Sequence, residues 1–118
     1  MKKILVIDDD HEVHTLVPNI FKHRNYQIKG TLHIGNLEEV LNDFKPDLIM
    51  LNDFSGGIEG SVVCNYLKSK EVFESIPIIM VSASDIDDEG PACTPDALIK
   101  KPFNADELIK QVDDFLCA

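Results

Sequence analysis

Short continuous apolar runs alternate along this 118-residue chain with stretches in which apolar residues recur every third or fourth position. Lys3 to Ile7 is an aliphatic, β-branched run that stops at Asp8-Asp9-Asp10, the pattern of a strand buried on both faces. Similar runs at Tyr26 to Leu32, Leu48 to Leu51, Ile76 to Val81 and Ala97 to Ile99 predict four more strands. Between them, His11 to His23 sets Val13, Leu16, Val17, Ile20 and Phe21 on one helical stripe, and Leu37, Val40, Leu41 and Phe44 on a second. Val62, Val63, Tyr66 and Leu67 make a third stripe, and Leu108, Ile109, Val112, Phe115 and Leu116 the last. The slot Ser84 to Pro95 differs, because Gly90-Pro91 and Thr94-Pro95 oppose a regular helix and predict a short or irregular one. Pro18 should kink the first helix near Leu16. Asn104, with Glu107 three residues on, has the capping-box spacing that starts the last helix.

Strands alternating with helices at this spacing predict an α/β fold, a doubly wound parallel sheet covered on both faces by right-handed crossovers. In such sheets ligands bind outside the carboxyl ends of the strands. The chain reads as a single domain over residues 1–118, with no linker, repeat or low-complexity stretch. At 44% apolar residues it has the means to bury a core, which excludes a disordered tail. Its longest nearly apolar run, Ile76 to Ala83, falls far short of the roughly 20 residues of a membrane helix. Met1-Lys2-Lys3 leads into a strand and not a signal peptide, so a soluble cytoplasmic protein is expected.

Charge narrows the choice of partner. With 11 basic and 21 acidic side chains the net charge is −10, which repels nucleic-acid phosphates and anionic lipid. Proteins or cations are the expected partners, with no nucleic acid bound by this domain alone and no membrane. Cys64, Cys93 and Cys117 are odd in number and widely spaced with no CxxC pair, which argues against a disulfide framework or a zinc site, so they read as buried or idle thiols. His11 and His14 read as solvated helix side chains, and the run Asp85 to Glu89 as a solvated acidic loop.

The residues that follow the apolar runs carry the candidate chemistry. They are Asp8 and Asp9, then Asn52, Ser82 and Lys101, all polar and all expected at one rim of the sheet. Adjacent carboxylates form a hard-oxygen site suited to Mg²⁺. A hydroxyl and an ammonium on neighbouring strand ends can hold an anion beside that metal.

These segments resemble a known family. Lys3-Ile4-Leu5-Val6-Ile7-Asp8-Asp9-Asp10, then Pro46-Asp47-Leu48-Ile49-Met50-Leu51-Asn52 leading to Gly57-Ile58-Glu59-Gly60, Pro77-Ile78-Ile79-Met80-Val81-Ser82-Ala83 and Lys101-Pro102-Phe103 are similar to a response-regulator receiver domain of the CheY-like kind. The likeness covers the whole chain in the family's order. It implies a flavodoxin-like (βα)5 three-layer sandwich with five parallel strands in the order 2-1-3-4-5. It implies Mg²⁺ at Asp8, Asp9 and position 52, a phosphoryl acceptor at position 52, and phosphoryl contacts from Ser82 and Lys101. It also implies a histidine kinase, phosphotransfer protein or output domain as partner, and a cis Lys101-Pro102 peptide.

Three features depart from that pattern. Position 52 is Asn, whose amide cannot attack a phosphoryl donor to form an acyl phosphate. Asp53 is adjacent, yet strand alternation should turn it away from the rim. The aromatic switch of the family falls on Leu98, and Lys101 follows Ser82 by only 19 positions, a shorter interval than the resemblance implies. The expectation is therefore a degenerate receiver, a pseudo-receiver that binds Mg²⁺ weakly and acts through protein contact. It is not an enzyme, beyond self-dephosphorylation should an acceptor be present. The alternative is a receiver that does take a phosphoryl group, with Asp as its natural residue 52 or with Asp53 as acceptor. A remoter alternative is a haloacid-dehalogenase-like phosphatase built on Asp8 and Asp10, although its later acidic pair, Asp113-Asp114, lies in the last helix.

Overall fold

In a computed structural model, described here for residues 1–53, 60–82, 95–101 and 104–116, with only the backbone for Asp53, five strands and four helices follow one another. They are β1 (Lys2–Ile7), α1 (His11–Ile20), β2 (Tyr26–Thr31), α2 (Leu37–Phe44), β3 (Leu48–Asp53), α3 (Gly60–Lys68), β4 (Ile78–Ser82), β5 (Ala97–Lys100) and α4 (Ala105–Leu116). The strands form one sheet in the order β2-β1-β3-β4-β5, every pairing parallel, as the resemblance implied. Residues 83–94, the stretch for which a short or irregular helix is expected, with the acidic run Asp85 to Glu89 and Cys93, together with the Lys101-Pro102 peptide and Cys117, lie outside the described residues.

Strand alternation divides the core into two layers. Leu5 and Ile7 of β1, with Ile49, Leu51, Ile78 and Met80, pack against Leu37, Leu41 and Phe44 of α2 and Val63, Cys64 and Leu67 of α3. Ile4 and Val6, with Leu48, Met50, Ile79, Val81 and Ile99, meet Val13 and Val17 of α1 and Leu108 and Val112 of α4 on the other face. Central strands covered on both sides explain why β1, β3 and β4 read as unbroken apolar runs.

Helix ends follow their local chemistry. Asp10 caps α1, its Oδ1 accepting from the Glu12 N–H at 3.0 Å. Asn104 Oδ1 accepts from the backbone N–H of Asp106 and Glu107 at 2.8 and 3.2 Å, as the capping signal predicted. At the amino end of the sheet, Asp96 Oδ2 accepts from the Ile78 N–H and from Lys68 Nζ, tying β4 to α3.

Four expectations need correction. Helix α1 stops at Ile20, short of His23, where the Phe21 N–H turns back to Val17 and Asn19 soon after Pro18 has removed a backbone donor. Leu16 and Val62, placed on buried stripes by periodicity, are exposed, Cys64 taking the inward place on α3. The second run does not make a strand buried on both faces like β1: Gln27, Lys29 and Gly30 of β2 are exposed, since β2 stands at the sheet edge, as the implied strand order required, with only β1 beside it. Cys64 is buried as expected, but it is disulfide-bonded rather than a free thiol. Spacing along a chain does not reveal which thiols the fold brings together. Among the described residues no helix is long and apolar enough to cross a membrane.

Candidate functional site

The strand order reverses between β1 and β3, so the carboxyl ends of those strands border the crevice where such sheets bind ligands. Asp8 follows β1 and is 3% exposed; Asn52, near the end of β3, is 4% exposed. Their proximity follows from register, since Ile7 pairs with Leu51. Asn52 in turn pairs with Val81, one residue before the fully buried Ser82 that ends β4. Ser82 pairs with Lys100, and its carbonyl accepts the Lys101 N–H at 2.7 Å. The polar strand ends expected from the sequence therefore occupy one rim.

Lys101 spans that rim. Its ammonium, 3.2 Å from Asp8 Oδ2, forms an ion pair with a nearly buried carboxylate. Asp8 Oδ1 accepts the Asp10 N–H at 2.9 Å, so both carboxylate oxygens are engaged. Asp9 is exposed. Asn52 Oδ1 is buried and has no hydrogen-bond partner among the described residues, an arrangement that normally costs about 1–3 kcal/mol and calls for a donor or a cation. Asp53 pairs with Ser82 along the backbone, but the expectation that its side chain turns from the rim lies outside the described residues. Leu98 stands exposed on β5 opposite Met80.

One residue of the site was misread from sequence. His14 is not a solvated helix side chain, because its Nε2 lies 2.6 Å from the Asp8 carbonyl oxygen. A carbonyl only accepts, so Nε2 carries the proton and donates. The ring packs on β2 at Gly30, where a Cβ would come within 2.1 Å of His14 Nδ1. A lone glycine inside a strand pattern signals such a close approach. Gly30 was therefore a clue to His14 already present in the sequence.

The phosphatase alternative finds no support at the rim. Asp113 bonds Tyr26 OH and pairs with Arg24 at 3.2 Å, beside the first residue of β2 at the opposite end of the sheet. Asp114 pairs with Lys110 on the surface of α4.

Comparison with known proteins agrees with this geometry. The family model described as response regulator receiver domain matches residues 4–113. The nisin biosynthesis regulatory protein NisR of Lactococcus lactis is 35% identical over 115 residues, covering 94% of this chain and 48% of the relative. The phosphate regulon transcriptional regulatory protein PhoB of Pseudomonas aeruginosa is 30% identical over 114 residues, covering 94% and 50%. The chain thus spans about half the length of the curated relatives it matches. Among solved structures, the receiver domain of a DNA-binding response regulator from Colwellia psychrerythraea superposes with a TM-score of 0.85 at 25% identity, covering 100% of both chains. A chemotaxis protein of Vibrio cholerae, at 19% identity, shares the fold with a TM-score of 0.85 over 98% of both chains. With the family model spanning nearly the whole chain and the fold matching in strand order, this chain belongs to the response-regulator receiver family of two-component signalling.

Proposed function

We propose that this receiver does not take a phosphoryl group and instead works in the cytoplasm as a protein-interaction module over residues 1–118. The observation that carries this reading is Asn52, a neutral amide at the rim position where the family's acceptor falls, with Lys101 drawn to Asp8. An amide oxygen is too weak a nucleophile for an acyl phosphate, so neither acceptance nor self-dephosphorylation follows. Leu98 offers no aromatic ring to act as a conformational reporter. Ser82 and Lys101 hold the places of phosphoryl contacts, but Lys101 serves here to neutralise Asp8.

The rim residues fit Mg²⁺. Asp8, Asp9 and Asn52 Oδ1, which has no partner among the described residues, would hold it, and the ion would supply positive charge to any anion bound alongside. Binding is weak, because the site has one carboxylate fewer than a fully acidic rim and Lys101 competes for Asp8. The partner is a histidine kinase, a phosphotransfer protein or an output domain. The named regulators among the relatives extend beyond the matched half, which is consistent with an output domain as the neighbour.

Incubation with acetyl phosphate and Mg²⁺, followed by intact-mass measurement, tests the reading. No phosphoryl adduct is expected on the parent, whereas Asn52→Asp should gain one. A hydroxylamine-labile adduct on the parent, mapped to Asp53, would overturn it.

A further inference from the structure

We propose that the groove between α2 and α3 receives a basic, apolar segment of a partner protein, independently of whether residue 52 takes a phosphoryl group. The groove has a volume of about 550 Å³ and is lined by Ile34, Asn36, Leu37, Glu39, Val62 and Tyr66 among others. That volume lies within the range of sites that bury a ligand. Two of its apolar side chains face solvent, Val62 at 57% and Ile34 at 39% exposed. Val62 and Tyr66 are four residues apart on α3 and form one ridge. The inward stripe of that helix is already complete with Val63, Cys64 and Leu67, so Val62 is left over from the core.

Charge identifies the occupant. Glu38 and Glu39 stand in the first turn of α2 on the groove wall. Glu38 accepts the Tyr66 hydroxyl at 3.1 Å, which fixes the wall across the groove. Glu39 makes no ion pair among the described residues. Lys70 lies 5.5 Å from the Tyr66 ring centroid and offsets this charge only in part. A nucleic acid, an anionic membrane or a second copy of a chain of charge −10 would each be repelled. A polypeptide segment with an aliphatic anchor and flanking Lys or Arg meets both the exposed Ile34–Val62 surface and the acidic wall, as an amphipathic helix meets a groove. The groove opens on the carboxyl side of the sheet, since the β2–α2 connection leaves the end of β2 and α3 starts after β3. An occupant therefore sits on the same side of the molecule as Asp8 and Asn52.

The probe is a synthetic helical peptide with Leu on one face and Lys on the other, titrated into the isotope-labelled full chain while amide shifts are followed. Control peptides carry Glu for every Lys, or Ser for every Leu. The Leu–Lys peptide should give saturable shifts confined to residues 34–39 and 60–66. Its affinity should fall about tenfold between roughly 50 and roughly 500 mM salt as the charge is screened. Both controls should fail at this site. Val62→Ser and Ile34→Ser, at positions already facing solvent, should each weaken binding about fivefold or more, and Glu39→Gln should flatten the salt dependence. Amide spectra of the free variants verify their folding. Non-saturating shifts spread over the acidic surface would overturn the proposal, as would shifts on α1 or α4, equal binding of either control peptide, or variants that bind like the parent. Concentration-dependent shifts of these same amides in the free protein would assign the groove to a second copy and overturn it too.

Discussion

Replacing Asn52 by Asp would set a third carboxylate beside Asp8, which is 3% exposed, and Asp9, with Lys101 already paired to Asp8. Like-charge repulsion should then destabilise the metal-free fold by about 1–2 kcal/mol, the Coulomb term at an effective dielectric near 20 after partial solvent screening. Mg²⁺ held at the folded rim as proposed, and not by the unfolded chain, should restore more stability to the variant than to the parent. Denaturant melts of both proteins with and without Mg²⁺ check this, and equal stabilities under all four conditions would separate residue 52 from the Asp8 site. Gly30→Ala should cost about 1–3 kcal/mol, because its Cβ would lie 2.1 Å from His14 Nδ1. Pairing it with His14→Ala should make the combined loss smaller than the sum of the two, measured by the same melts. The rim residues were legible because each follows an apolar run whose end can be read directly. His14 was signalled only by the lone glycine at position 30, since its role depends on α1 meeting β2 there, a non-local contact that periodicity within α1 does not contain.

At the level of elements, Asn104→Ala removes the side-chain oxygen that accepts two backbone N–H groups at the start of α4. It should cost about 1 kcal/mol in thermal or denaturant unfolding. Across the α2–α3 groove, desolvation first and then the hydrogen bond and negative charge of Glu38 hold the Tyr66 phenol above its ordinary 10.0. The folded state thus binds this proton more tightly than the unfolded chain. The contribution is fully present below pH 10.0 and is lost as pH rises through that value and beyond. Glu38→Gln should lower the Tyr66 titration toward the ordinary range, followed through the carbon shift of its ring; an unchanged midpoint would mean that the two helices are not joined there. Strands buried on both faces were the most legible elements, because the covered stretches Ile4 to Ile7, Leu48 to Leu51 and Ile78 to Val81 need apolar residues toward both helix layers. Helix faces were less so. A stripe such as Val62, Val63, Tyr66 and Leu67 is wider than the surface the sheet covers, and sequence alone does not say which outer member is left in solvent. The edge position of β2 was similarly hidden in its own residues and entered only through the strand order implied by resemblance.

Across the whole molecule, one parallel sheet brings residues separated by 93 positions, Asp8 and Lys101, into an ion pair. The fold class was legible from the alternation of patterns. The meeting of these two residues was legible only once parallel strands were assumed, because all carboxyl ends then lie on one side. Cys64 remained illegible, since pairing of thiols is decided by tertiary proximity and not by count. We propose that this rim keeps its cation-binding character and has lost its acceptor. Amide spectra of the full chain, recorded with Mg²⁺ alone and then with Mg²⁺ and beryllofluoride, which occupies an acceptor carboxylate as a phosphoryl group does, test both halves of it together. Mg²⁺ should shift the amides around Asp8, Asp9 and Asn52, and beryllofluoride should add nothing further. New shifts at Ser82, Lys101 and β5 on adding beryllofluoride would show a working acceptor and a receiver that still takes a phosphoryl group.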